Sequence, residues 1–187
     1  MRFALYECPD GVETTSRNGV VYDLEQDVAS RGSAHLDGPA LAWALPETEP
    51  GLVTDRHKVR VALEVEVDLD PGRDWVVRCD RVDFPPGGVA YRHVHPGPGI
   101  RRLLFGELTI DTDEGQRTYG EGEAWFEDAH SPVLATASAT EDTAFVRVLV
   151  LPSEWAGKRT IRYLDPTDVE KPTLQRATVL LEEALPL

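Results

Sequence analysis

Between Val59 and Val67 the chain is apolar at every second position. Val59, Val61, Leu63, Val65 and Val67 alternate with Lys58, Arg60, Ala62, Glu64, Glu66 and Asp68. Successive strand side chains point to opposite faces, so this period of two predicts a half-buried β-strand. Asp70-Pro71-Gly72 closes it, and the pattern then repeats in short runs. Further strands are expected over Trp75 to Phe84, Arg102 to Ile110, Ala124 to Phe126, Val133 to Ala137 and Phe145 to Leu151. Pro85-Pro86-Gly87-Gly88, Asp113-Glu114-Gly115, Gly120-Glu121-Gly122 and Thr140-Glu141-Asp142 supply the turns between them. Many short strands at such spacing argue for an all-β sandwich or barrel.

The flanks are less regular. Asp10-Gly11, Asn18-Gly19, Arg31-Gly32 and Asp37-Gly38-Pro39 cut the first fifty residues into short pieces. Val20 to Leu24 and Ala40 to Leu45 read as short apolar elements, and Glu47 to Gly51 as a connector. Residues 1–55 are therefore expected to be an N-terminal arm, packed on the main domain or on a second subunit. Residues 56–152 form the barrel, and 153–187 a C-terminal extension. Within that extension Pro152 to Gly157 reads as a helical turn that Ser153 could cap. Ile161 to Leu164 and Ala177 to Leu181 are candidate strands.

The stretch that carries chemistry is Gly87-Gly88-Val89-Ala90-Tyr91-Arg92-His93-Val94-His95-Pro96-Gly97-Pro98-Gly99. On a strand, Tyr91, His93 and His95 share one face. Two imidazoles so placed can grip a divalent metal, or hydrogen-bond an anion or a carbonyl. The glycine frame around them resembles the first motif of the cupin superfamily, G-x5-H-x-H-x3-E-x6-G, matched here at Gly87, His93, His95 and Gly106. Gly122 to Phe126 resembles the opening of the second motif, and the resemblance spans roughly Val59 to Leu151. It implies an all-β, cupin-type double-stranded β-helix, a jelly-roll barrel, with the N-terminal arm and C-terminal extension attached. It also implies pairing of two barrels into a homodimer.

Two ligand positions of that family are changed. Gly99 stands at the glutamate and Val133 near the third histidine. Two histidines alone hold a first-row metal weakly. His130 could supply a third nitrogen, and Glu127 or the neighbouring Asp128 an oxygen, to Fe, Mn, Ni or Zn. Arg101 shares the inner face of Gly99, and a guanidinium there suits an anionic ligand better than a metal. Tyr91 and Trp125 are candidates for an aromatic pocket wall. His35 and His57 belong to no constellation.

Three functions stay open: a metal-dependent oxygenase, isomerase or lyase; a metal-free cupin that binds or converts a small carboxylate with Arg101 as anchor; and a vestigial pocket in a structural or sensory module. The formal charge of -14 repels phosphates and anionic lipid, which argues against nucleic-acid and membrane partners. Only Cys8 and Cys79 are present, too few for a disulfide framework. Met1 to Glu7 lacks the apolar core of a signal peptide, and the expected compartment is the reducing cytoplasm.

Overall fold

The computed structural model describes residues 1–45 and 59–186. The connector at Glu47 to Gly51 and His57 lie outside the described residues. The N-terminal strands are β1 (Arg2–Cys8), β2 (Val12–Thr14), β3 (Val20–Asp23), β4 (Val28–Arg31), β5 (Ala34–Leu36), β6 (Ala40–Ala44) and β7 (Arg60–Glu66). Five of them form one antiparallel sheet in the order β4-β3-β6-β1-β7, and β2 pairs with β5 beside it. The expected arm is thus a sheet. Its pieces are short in sequence but gain a common apolar surface because β1 lies between β6 and β7.

The strand with the period of two is present as β7, yet it pairs with β1 and not with a barrel strand. Its register shifts where Leu5 faces Leu63 and Tyr6 faces Val61, leaving Ala62 as the extra residue of a β-bulge. Beyond the bulge the faces exchange, so Val61 is exposed while Ala62, Leu63 and Val65 pack on the core.

Ten further strands follow: β8 (Trp75–Phe84), β9 (Val89–Val94), β10 (Gly99–Phe105), β11 (Leu108–Thr112), β12 (Gly115–Tyr119), β13 (Ala124–Glu127), β14 (Val133–Ala137), β15 (Thr143–Pro152), β16 (Arg162–Tyr163) and β17 (Arg176–Leu185). The expected strand from Arg102 to Ile110 is two strands, β10 and β11, that belong to different sheets. The chain turns between them at Gly106, whose φ of +79° favours a residue without Cβ. Two five-stranded sheets make the jelly-roll barrel, β13-β10-β15-β8-β17 and β12-β11-β14-β9-β16. Thus the C-terminal extension completes both sheets, β16 on β9 and β17 on β8. The turn at Ser153–Trp155 is a 3-10 helix, and the Ser153 side chain does not cap it.

The β8-containing sheet is the middle layer. On one face Val77, Cys79, Ile100, Val146, Val148 and Val150 pack against Phe3, Leu5, Tyr22, Leu41 and Trp43 of the N-terminal sheet. The indole of Trp43 donates to the Ile100 carbonyl at 3.2 Å across that seam. The opposite face looks into the barrel. Among the described residues no helix is long and apolar enough to cross a membrane.

Candidate functional site

The barrel encloses a cavity of about 310 Å³. Its walls are mostly apolar, with Phe84, Leu108, Ile110, Trp125, Val133 and Phe145 among them. The polar groups gather at one end because of strand register. In the middle sheet Trp125, Arg101, Arg147 and Asp80 stand in one row across β13, β10, β15 and β8. Residues directly opposite one another in antiparallel strands share a face, so this row is a ladder of side chains turned inward.

Two arginines opposite each other repel, and each is balanced by a carboxylate. Arg147 donates to Asp80 Oδ2 from Nε (3.1 Å) and Nη2 (2.9 Å), and Arg78 Nε donates to Oδ1 at 2.8 Å. Asp80 is fully buried between them. On the other side Arg101 Nη2 lies 2.6 Å from Glu127 Oε2, while Nη1 donates to the Gly99 carbonyl at 2.5 Å. Burial and the neighbouring Arg147 charge push the Arg101 guanidinium down to about 10. Glu127 also accepts from the Trp125 indole at 2.9 Å.

The two histidines stand against this ladder. His93 Nδ1 lies 2.7 Å from the Tyr91 carbonyl, which only accepts, so Nδ1 carries the proton and Nε2 is bare. Arg147 Nη1 donates to His95 Nε2 at 3.2 Å, which makes that nitrogen an acceptor too. His95 Nδ1 is buried without a hydrogen-bond partner. The two Nε2 atoms are 3.2 Å apart, so two acceptors face each other in a buried site. That arrangement calls for a hydrogen-bond donor or a cation. Burial lowers the pKa of His93, and burial together with Arg147 and Arg101 lowers that of His95 much further. Both rings are therefore neutral near pH 7.

The sequence candidates divide. His93, His95, Trp125 and Glu127 line the cavity together. Arg101 points inward, as alternation from Gly99 predicts, but it sits behind the cavity wall with its guanidinium committed to Glu127 and Gly99. Tyr91 is turned away from the histidine face. β9 carries one extra residue between the pairs Val133–His93 and Ala135–Ala90, and this bulge rotates Tyr91 outward, where Lys171 Nζ lies 4.6 Å from its ring centroid. His130 is exposed, with φ +61°, and its backbone N–H donates to the His95 carbonyl at 2.8 Å. The cations that do line the cavity are Arg78, Arg147 and Arg159, none of which was singled out from sequence. A signal existed for Arg147, the lone charge in the otherwise uncharged run Thr143–Pro152.

A cupin metal centre fits these residues poorly. Two bare imidazole nitrogens suit a metal, but no group of three His, Cys, Asp or Glu among the described residues is placed to hold one. Val133 lies directly opposite His93 with an inert side chain. A Cβ at Gly99 would come within 2.5 Å of Leu149 Cδ2, 2.8 Å of the Val148 carbonyl and 2.9 Å of Arg101 Nη1. A side chain at the family's glutamate position would thus run into Leu149, the Val148 carbonyl and Arg101, and a divalent ion would meet the Arg147 guanidinium at His95.

Residues 80–149 match the family described as a cupin domain. Among solved structures the chain is similar to an RmlC-like cupin from Shewanella frigidimarina NCIMB 400, at 17% identity over 42% of this chain and 68% of that one, with a TM-score of 0.38. It is similar to the polyketide cyclase RemF from Streptomyces resistomycificus at 19% identity over 55% and 72%, TM-score 0.40. A recombinant oxalate oxidase in complex with glycolate is similar at 24% identity over 39% and 41%, TM-score 0.37. No curated protein matches the chain.

Proposed function

We propose that the cupin domain of this chain, a double-stranded β-helix with an enclosed cavity, takes up a small hydroxy acid without a resident metal. The observation that carries the reading is the triplet Arg147 Nη1, His95 Nε2 and His93 Nε2, linked in series at 3.2 Å each. Arg147 spends Nε and Nη2 on Asp80 and one Nη1 N–H on His95, and offers a carboxylate the remaining Nη1 N–H as a charge-assisted donor. The bare His93 Nε2 accepts a hydroxyl proton, so one ligand bearing both groups satisfies the site. The apolar walls select an aromatic or aliphatic body. A neutral imidazole beside a bound hydroxyl is a ready general base, which is the chemistry such a ligand would meet here. Arg101 and Glu127 hold the floor of the site in place, and Arg147 takes the role of anion anchor.

The test is calorimetric titration of the full chain with 3-phenyllactate and with 3-phenylpropionate, which lacks the hydroxyl. Phenyllactate is expected to bind tighter, and Arg147→Met to weaken it about 100-fold, equivalent to about 2.7 kcal/mol. Equal affinity of the two acids, or indifference to Arg147→Met, would sink the reading. A second reading, a divalent ion such as Fe, Mn, Ni or Zn on His93 and His95, draws on the facing lone pairs alone. Stoichiometric metal in protein purified without a histidine tag, lost in His93→Ala, would put it first.

A further inference from the structure

The far end of the same cavity carries a second polar group. Gln175 lines it, and both Nε2 and Oε1 of its carboxamide are buried without a hydrogen-bond partner. The residue precedes β17, one step beyond the pair Arg176–Asp83, and so stands beside Phe84. Its neighbour two residues on, Ala177, faces Val82 and also lines the cavity, which places Gln175 on the inward side. A carboxamide with donor and acceptor both unmet is costly in an apolar wall, and folding alone gives no reason for it.

Distance along β8 relates this group to the cationic end. Arg147 pairs with Asp80, and Gln175 stands beside Phe84, four residues along the strand. Four residues at about 3.3 Å along the strand, and two strand spacings of about 4.8 Å from β15 across β8 to β17, set the two backbone positions about 16 Å apart. Both side chains reach into the cavity from these positions, so a ligand shorter than that separation, with a polar group at each end, bridges them. Between these ends the walls are Val82, Phe84, Trp125 and Phe145, which suit a flat apolar ring.

We infer that Gln175 is the specificity-determining residue for the distal end of the ligand, and that the ligand class is an aromatic hydroxy acid with a second polar substituent opposite its carboxylate. This rests on the hydroxy-acid reading of the cationic end. A carboxamide can give and take a hydrogen bond, so it accommodates a phenolic hydroxyl in either sense. The C-terminal extension, by this inference, does more than complete the barrel: it supplies the group that measures ligand length.

The experiment compares 3-phenyllactate with 3-(4-hydroxyphenyl)lactate on the full chain, by titration calorimetry. The native protein is expected to favour the phenol about tenfold. In Gln175→Leu the two acids are expected to bind within twofold of each other, because the distal partner is gone. Gln175→Met, closer in shape, replaces it should the leucine variant fail to give a cooperative melt. A native protein that binds both acids equally overturns the inference while leaving the hydroxy-acid reading standing, and so does a tenfold preference that survives in both variants. Failure of the native protein to bind either acid removes the hydroxy-acid reading, and this inference with it.

Discussion

One sheet of this protein has two faces that obey different physics. Along β15, Val146, Val148 and Val150 press against the N-terminal sheet, while Phe145 and Arg147 on the alternate positions face the cavity. β8 divides the same way, with Val77 and Cys79 on the dry face and Arg78, Asp80 and Val82 on the other. The backbone ladder is common to both faces, so only the side chains differ. The dry face stabilises by removing apolar area from water, at about 25 cal/mol per Å². The charged face gains little net stability, because desolvating ions offsets most of their mutual attraction. A fold needs the first face. Under the proposed function, the second face serves the ligand.

The sharpest way to break this contrast is to damage each face in turn. Trp43→Ala empties a fully buried site at the seam and removes the bond to the Ile100 carbonyl. It is expected to cost about 4 kcal/mol in urea denaturation, with hydroxy-acid binding retained by the folded fraction. A loss under 1 kcal/mol would mean that the two sheets do not share a core.

Asp80→Asn strikes the other face. It leaves Arg78 and Arg147 without their common carboxylate in a fully buried site, at an expected cost of about 3 kcal/mol. Replacing all three by Leu, Met and Leu at Asp80, Arg78 and Arg147 should recover most of that stability while abolishing acid binding. If the triple variant stays as unstable as Asp80→Asn, the ladder is structural and the contrast between the faces is lost.

The smallest effect is on pH dependence. Burial keeps His93 and His95 neutral in the folded chain, with both pKa values below the ordinary 6.5. The unfolded chain therefore takes up protons first. The contribution of the pair is complete above about pH 6.5 and is lost as pH falls toward the lowered folded values. The melting temperature is expected to decline between pH 6.5 and 5, and His93→Gln combined with His95→Gln to flatten that decline. A native slope equal to that of the double variant would show that the rings are not held neutral.

Much of the barrel could be read from local pattern. The strands β8, β13, β14 and β15 fall within two residues of where alternation and turn residues placed them. The glycine frame singled out His93 and His95, and Trp125 and Glu127 line the same cavity from the facing sheet. The pattern failed where a bulge intervened. One extra residue in β9 turned Tyr91 outward, and one in β7 exposed Val61. A period of two says that faces alternate, but it cannot say where the alternation slips.

What the sequence determined by itself is the set of short strands, their turns and the histidine pair, since these depend on neighbours a few positions apart. The tertiary structure alone decided that β7 joins the N-terminal sheet and that β16 and β17 complete the barrel. It also decided that Arg147, not Arg101, meets His95, because register over forty-six residues of chain sets Arg101 between Glu127 and Arg147. Strand partners separated by such distances are chosen by the packing of whole sheets, and no local period records that choice.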